Sequence, residues 1–190
     1  MMGRTFNGDQ VVRAVGVSWL VFFVATSARA TVLLPAGLDD ISRRAQAIAR
    51  GRVTSVKPRW TDDHRRIETV VTLDADVYLK GELGSLLQFT VPGGQLGRYR
   101  SITVGAPTLV PGARVIVFLG SRGPSLPWVV GLAQGVFLIV QSGGAWVVTP
   151  PVILPVVGAA VPVVRGDPTR RPTQLADFER QVRALAGSLP

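Results

Sequence analysis

Cysteine is absent from the 190-residue chain, and this absence excludes several kinds of chemistry. Disulfides, thiol catalysis and cysteine-ligated metal sites all require the missing side chain. Histidine is nearly absent too, because His64 is the only one in the chain. A single imidazole supplies too few nitrogen ligands for a zinc site. The sequence therefore predicts neither a metal nor another cofactor, and it predicts a fold that is stabilised by an apolar core.

The first 30 residues have the three-part layout of a secretory signal peptide. Arg4 and Arg13 give a positive start, Ala14 to Thr26 form an uncharged apolar run, and the segment 27–30 (SARA) ends in an A-x-A pattern. The apolar run has 13 residues, whereas a membrane-spanning helix needs roughly 20. We expect cleavage after Ala30 and export to the periplasm or the extracellular space. The alternative is a retained N-terminal anchor.

Charged residues are missing from the segment 123–164, which includes the proline-rich stretch 145–164. Four prolines interrupt that stretch, and each removes a backbone hydrogen bond that a spanning helix would need. We therefore expect an extended strap over the fold, and no membrane span once the signal peptide is removed. The residues that follow, 165–172, are typical of a linker.

Positive charge is in excess, but its distribution does not indicate a nucleic-acid partner. The predicted mature chain, 31–190, has 18 basic and 11 acidic residues, a net charge of +7. All but two of the chain's basic residues are arginine, and alanine, glycine, valine and proline are abundant too. All these residues have GC-rich codons, so genome composition is an alternative source of the excess of arginine. The arginines look scattered along the chain, with no interleaved aromatic stripe of the kind that single-strand binders use. Export also argues against an intracellular nucleic acid.

Short strands separated by glycine and proline turns dominate the mature chain, which indicates an antiparallel barrel or sandwich. The clearest strand is 67–80, whose odd positions are apolar and whose even positions are mostly polar, so one face is expected to be buried. A short helix is predicted at 38–45, with Leu38, Ile41 and Ala45 on one apolar face. A C-terminal helix is predicted to be capped by Thr173. Its apolar residues, Leu175, Phe178, Val182 and Leu185, fall on one stripe. The other strand candidates are 47–56, 86–91, 98–104, 113–119, 128–133, 135–141 and 145–149. The predicted organisation is a signal peptide (1–30), a β domain (31–149), a strap and linker (150–172) and a C-terminal helix (173–190).

A hairpin centred near residue 62 would join the first two long strands. This arrangement sets Val53 opposite Val71 and Arg50 opposite Asp74. It places the arginines of the first strand beside the aspartates of the second, and it puts His64 at an exposed tip.

Four residues are candidates for ligand contact: His64, Gln134, Asp74 and Asp76. His64 lies beside two aspartates in WTDDHRRIET, but a solvated turn is the favoured interpretation of this stretch. Asp74 and Asp76 share a strand face and could hold calcium or act as an acid–base pair, although neighbouring arginines would neutralise them. Gln134 lies in an apolar strand pair, where a bulge or a ligand pocket would account for it. No residue is predicted to be catalytic.

Four segments carry a resemblance to known proteins: a strand at 47–56 with Gly51 near its middle, a Leu-Lys-Gly turn at 79–81, the PGG of 92–94 and the PGxxVxxFL pattern of 111–119. This layout resembles uncharacterised exported bacterial proteins. It is also loosely similar to the OB-type barrel of netrin modules and tissue inhibitors of metalloproteinases. The resemblance implies an OB-like barrel, closed or partly open, between a short N-terminal helix and a C-terminal helix. Those inhibitors chelate zinc through an N-terminal cysteine, which this chain lacks, so their mechanism is not implied.

These observations favour an exported, non-catalytic binding or structural protein. The expected partner is a protein or a component of the cell envelope. Two alternatives stay open at this stage: an inhibitor or accessory factor of a secreted protease, and a hydrolase of unknown type. The sequence does not indicate an oligomeric state.

Overall fold

The computed structural model describes residues 36–150 and 171–187, all within one compact unit that spans Val32–Pro190. These residues are mostly β, with one large sheet and a short C-terminal helix, which confirms the mostly β prediction. The predicted signal peptide, 1–30, and most of the predicted strap and linker, 150–172, lie outside the described residues. Within the described ranges, no helix is both long and apolar enough to cross a membrane.

Helix α1, Leu38–Arg44, begins with two aspartates and ends with two arginines. Each aspartate pairs with the arginine one turn later at 3.2 Å, the orientation that also suits the helix dipole. Ile41 is fully buried, as the predicted apolar face requires. The Lys80 ammonium donates hydrogen bonds to the carbonyls of Ser42 and Arg43, at 2.9 and 3.1 Å. These bonds satisfy carbonyls that the helix end would otherwise leave without partners.

The described part of the chain contains ten strands and one short 3-10 helix. Two strand predictions were too long: 98–104 pairs only over Tyr99–Ser101, and 128–133 only over Trp128–Val129. The 3-10 helix Leu132–Gly135 takes up the rest of the second segment. The strands are β1 (Ala47–Trp60), β2 (Ile67–Lys80), β3 (Leu86–Pro92), β4 (Gly94–Leu96), β5 (Tyr99–Ser101), β6 (Arg114–Gly120), β7 (Trp128–Val129), β8 (Val136–Ser142), β9 (Ala145–Thr149) and β10 (Thr173–Gln174).

The large sheet is organised around β1, which pairs with both β2 and β6. Its strand order is β1-β2-β3-β7-β6-β8-β9-β10, with the β1–β6 pairing in addition. The β3–β7 pairing is parallel and consists of one residue pair, Thr90 with Trp128; the other strand pairings of the described residues are antiparallel. Strands β4 and β5 form a separate two-stranded hairpin.

The predicted register of the β1–β2 hairpin was wrong by two residues at Val53, which lies opposite Leu73 instead of Val71. Arg50 lies opposite Val77 instead of Asp74. The turn is shorter than expected, because the pairing continues beyond residue 56 to Trp60 opposite Ile67, and this moves the hairpin centre towards the C-terminus. Irregularities between Val53 and Ser55 and between Arg50 and Gly51 each change the register by one residue. Arg52 still lies opposite Asp74, as the charge pattern indicated.

The sheet is buried on both faces, by two separate groups of apolar residues. Along β6, Val115 and Val117 belong to the first group, whereas Ile116 and Phe118 belong to the second. This explains why β6 is apolar throughout instead of alternating. The first core consists of Ala49, Val53, Val71, Leu73, Leu87, Phe89, Val91, Leu109, Val115, Val117, Leu119, Val129 and Val136. The second core consists of Ile41, Ala45, Ile48, Leu79, Ile116, Phe118, Val130, Phe137, Ile139, Val148, Phe178 and Val182, and it includes residues of both helices.

The single buried face predicted for β2 is divided between these two cores. Val71 and Leu73 are fully buried in the first core, but Leu79 belongs to the second. Tyr78, an even-numbered residue, packs against the first core. The alternation therefore changes phase after Ala75, next to the register irregularity of β1, because the bulged pairing turns the end of the hairpin.

Helix α2, Leu175–Gly187, packs its predicted apolar stripe against the second core, where Phe178 and Val182 are buried. The predicted cap was wrong: Thr173 lies in β10, opposite Val148, and its hydroxyl donates to the carbonyl of Arg171. The chain pairs with β9 before the helix begins, so the strand pairing takes the place of the cap.

An ion pair joins α2 to the sheet, because Arg50 of β1 contacts Glu179 of α2 at 2.5 Å and Asp76 of β2 at 3.2 Å. Burial alone would lower the pKa of Arg50, but the hydrogen bond with Asp76 and the charge of Glu179 raise its pKa overall. The guanidinium therefore stays charged and connects three elements of the fold.

Candidate functional site

His64 lies in the exposed turn between β1 and β2, with a positive φ of 54°. Its Nδ1 is 3.3 Å from the carbonyl oxygen of Asp62. The turn is held by Asp63, whose carboxylate accepts hydrogen bonds from the Thr61 hydroxyl and from the backbone N–H of Arg65. These two bonds lower the pKa of Asp63. Asp63 therefore holds the turn together, and among the hydrogen bonds of the described residues the imidazole of His64 contacts the backbone of Asp62 and neither carboxylate.

The two aspartates of β2 face different surroundings. Asp76 pairs with Arg50 and lies 4.0 Å from Arg114, whereas Asp74 is exposed opposite Arg52. The described residues contain no group of three or more histidine, aspartate or glutamate side chains that could hold a metal ion. The geometry therefore assigns Asp76 to the ion pairs that join β1, β2 and β6.

Gln134 is almost completely buried, within the 3-10 helix. Its Oε1 accepts a hydrogen bond from the backbone N–H of Ala36, at 2.8 Å. The predicted bulge between two strands was wrong, because Gly131 and Leu132 both have positive φ and turn the chain into this helix instead. The amide of Gln134 therefore connects the start of the described chain to the loop before β8.

The glycine-rich loop after β3 lies directly against β2. The Thr69 hydroxyl donates to the carbonyl of Gly93 at 2.7 Å, and the Gly93 N–H donates to the carbonyl of Ile67 at 3.0 Å. Gly94 has φ 146°, and a Cβ there would be 2.7 Å from Thr69 Oγ1. Only glycine fits this approach without strain. The stretch VPGGQLG is thus a structural junction, and it leads into the β4–β5 hairpin.

A pocket of about 370 Å³, which we call the Arg100 pocket, lies between this loop and the end of the first core. Val71, Val91 and Leu109, all first-core residues, supply apolar lining. Arg100 is the one charged residue among those that line it. The complete lining is Val56, Thr69, Val71, Val91, Pro92, Gly93, Gly94, Gln95, Arg100, Ser101, Ile102, Thr103, Ala106, Pro107, Thr108 and Leu109.

A second pocket of about 510 Å³ adjoins the first and shares four lining residues with it: Pro92, Gly93, Ser101 and Thr103. Trp128 and Leu132 supply apolar surface, and Arg66 and Glu68 supply charge. Glu68 already pairs with Arg59 at 2.7 Å. Positive φ is uncommon for leucine, so Leu132 adds backbone strain to the lining of this pocket.

Exposed apolar and cationic side chains surround the Arg100 pocket. We call residues 98–104, together with Val110, the hairpin surface. Ile102 is 73% exposed, and Tyr99, Val104 and Val110 are also exposed. The Arg98 guanidinium lies 5.0 Å from the centre of the Tyr99 ring and donates to its hydroxyl at 2.9 Å. Exposed apolar groups around a pocket are typical of interaction sites.

Two aromatic rings lie beside the arginines of this surface. The rings of Trp60 and Tyr99 meet edge to face, with centroids 5.4 Å apart. This contact brings the end of β1 next to the hairpin that carries Arg98 and Arg100. Trp60 and Tyr99 are 39 positions apart in the chain. The order of residues in the sequence therefore did not indicate that Trp60 lies beside Arg98 and Arg100.

Sequence reasoning missed Ile102 because the segment 98–104 was read as one strand, in which alternate residues would be buried. The available signal was the glycine and proline that follow closely, at Gly105 and Pro107, which favour a loop. Comparisons with protein-family models, with curated proteins and with solved structures found no match to this chain.

Proposed function

We propose that this chain is an exported, non-catalytic binding protein that binds its partner through the hairpin surface. The observation that carries the proposal is the combination of a pocket at the end of the first core with exposed apolar side chains around it. Interaction sites commonly combine an anchor that fills a pocket with surrounding contacts that exclude water. A hydrolase has weaker support, because the imidazole of His64 contacts only the Asp62 carbonyl among the hydrogen bonds of the described residues.

We further propose that the sheet is an OB-like barrel, as the resemblance to netrin-type modules implied. Support comes from a ring of strand pairings: β1 with β2, β2 with β3, β3 with β7, β7 with β6 and β6 back to β1. The first core would then be the barrel interior, and the second core would lie between the barrel and the helices. In this arrangement the Arg100 pocket is at one end of the barrel.

Export is the part of the proposal that rests on the sequence alone. The positive start, the short apolar run and the A-x-A pattern support cleavage after Ala30. N-terminal sequencing of protein recovered from the periplasm or the medium is expected to begin at Thr31. Recovery of full-length protein from the membrane fraction, still beginning at Met1, would contradict this prediction and favour the retained anchor.

Ile102→Asp is expected to abolish partner capture, because it places a charge at the most exposed apolar position of the hairpin surface. Tagged full-length protein is incubated with an envelope extract of the native host, and the captured material is quantified. We expect at least a tenfold loss for Ile102→Asp, as for removal of a central anchor. Leu86→Asp is the matched control, since Leu86 is also large, apolar and exposed but lies on β3.

Ile102→Asp should melt at the temperature of the unchanged protein, because this side chain is exposed. Leu86→Asp should melt slightly lower, because its carboxylate would lie opposite Asp74 on β2. Equal capture by the two variants would overturn the assignment of binding to the hairpin surface. Equal loss in both would also overturn it, since the effect would then follow added negative charge and not position.

A further inference from the structure

The size and lining of the Arg100 pocket indicate what kind of group enters it. Ligand sites for whole small molecules range from about 300 to 1,000 Å³, so a pocket of about 370 Å³ is at the small end. Its deepest contributors, Val71, Val91 and Leu109, are buried first-core residues. A pocket of this kind suits one apolar side chain of a partner better than a large cofactor.

The charges around the pocket indicate which residues should flank that side chain in the partner. Arg100 lines the pocket, and Arg98 is two residues away on the same hairpin. Neither of them has a salt bridge within residues 36–150 and 171–187. The one acidic residue in the lining of the adjoining pocket, Glu68, is already paired with Arg59. The local excess of positive charge therefore favours carboxylates on the partner.

We infer that the hairpin surface binds a short acidic segment of a protein, one apolar side chain of which enters the Arg100 pocket while its carboxylates contact Arg98 and Arg100. This inference rests on the proposed function, because it names the partner chemistry of the same surface. Arginine is well suited to this role, since its planar guanidinium accepts a carboxylate with two parallel hydrogen bonds. Ile102 and Tyr99 would shield these contacts from water.

Four ten-residue peptides, each capped at both ends and carrying a fluorophore, test this inference against the full-length protein at about 0.15 M salt. The first has a central leucine flanked by aspartates. In the second and third, serines and lysines replace the aspartates. The fourth keeps the aspartates and has alanine in place of the leucine. Fluorescence anisotropy gives the dissociation constant of each.

We expect the aspartate–leucine peptide to bind at least tenfold more tightly than the lysine peptide and more tightly than the serine peptide. Loss of the leucine should also weaken binding at least tenfold. Arg100→Gln should weaken the aspartate–leucine peptide about threefold, as for one partly exposed ion pair. Arg52→Gln removes the same charge from an exposed position on β1 and should change nothing.

Several results would overturn the inference. Equal binding of the leucine and alanine peptides would show a general surface for polyanions, such as acidic glycans. Equal effects of Arg100→Gln and Arg52→Gln would show that net charge, and not the hairpin, attracts the peptide. If the peptides show no preference while Ile102→Asp still abolishes capture, the proposed function stands and only the acidic partner is wrong.

Discussion

Gly51→Val should prevent folding of the mature chain. A Cβ at this position would lie 2.2 Å from the carbonyl oxygen of Asp74 and 2.9 Å from the Cα of Ala75. Both contacts are with backbone, so no side chain can rotate away to make room. Gly51 also pairs with Val115 on its other edge, which prevents β1 from moving sideways. The close approach of β1 and β2 at this irregularity therefore requires glycine.

The expected cost exceeds about 3 kcal/mol for Gly51→Ala, at the upper end of overpacking effects, and is larger for valine. Circular dichroism during heating and in urea measures the change in the free energy of unfolding. Gly187→Ala is the control, because a Cβ at Gly187 meets no atom within 4 Å. If Gly51→Ala melts with the same midpoint as Gly187→Ala, the pairing of β1 with β2 at this point is wrong.

Val71→Asp should be as damaging as the glycine substitution, for a different reason. Val71 is fully buried in the first core and also lines the Arg100 pocket. A carboxylate there would lie among first-core residues, all of which are apolar, and the one cation in the lining of the pocket, Arg100, is itself exposed to solvent. Burying an unpaired charge costs far more than the loss of the valine methyl groups. We expect a cost of about 4 kcal/mol or more, which is a large part of the stability of an ordinary domain.

Thr72→Asp is the matched control, since the next residue along β2 points to the opposite face and is only half buried. Its cost should stay within about 1 kcal/mol, the scale of strand propensity. Soluble yield and urea denaturation of the two variants are compared side by side. Equal destabilisation would mean that the faces of β2 are assigned wrongly.

Local patterns in the sequence predicted those parts of the fold that depend only on the spacing of apolar residues along a strand or a helix. The alternation in β2 identified Val71 and Leu73 as buried, and the helical spacing identified Phe178 and Val182. Both follow from the directions of side chains in regular structure. The burial of Ile41 on α1 follows from helical spacing in the same way.

Spacing patterns did not predict the register of the β1–β2 hairpin or the burial of both sheet faces. The register depends on the length of the turn and on irregularities near Ser55 and Gly51, which insert residues without a clear mark in the sequence. Burial of the second face depends on α2, which returns from far along the chain to contact Arg50 through Glu179. The sequence set Arg50 opposite Asp74, whereas its ion-pair partner on β2 is Asp76, and no pattern in the sequence indicated Glu179.

The hairpin surface could not be predicted for a related reason. Tyr99 and Ile102 were assigned to a strand, and their exposure becomes evident only when β4 and β5 separate from the large sheet. Among the proposed ligand contacts, His64 was chosen because it is the only histidine, and Gln134 because it is a polar residue in an apolar stretch. Neither of them lines the Arg100 pocket.

Site-specific photo-crosslinking tests the hairpin surface most directly. A photoreactive phenylalanine analogue replaces Ile102 in one variant and Leu86 in another, and both proteins are produced in the native host before irradiation. The account predicts a discrete, heavier crosslinked product from position 102 and none from position 86. Products from position 86 alone, or identical products from both positions, would contradict the claim that this surface binds the partner.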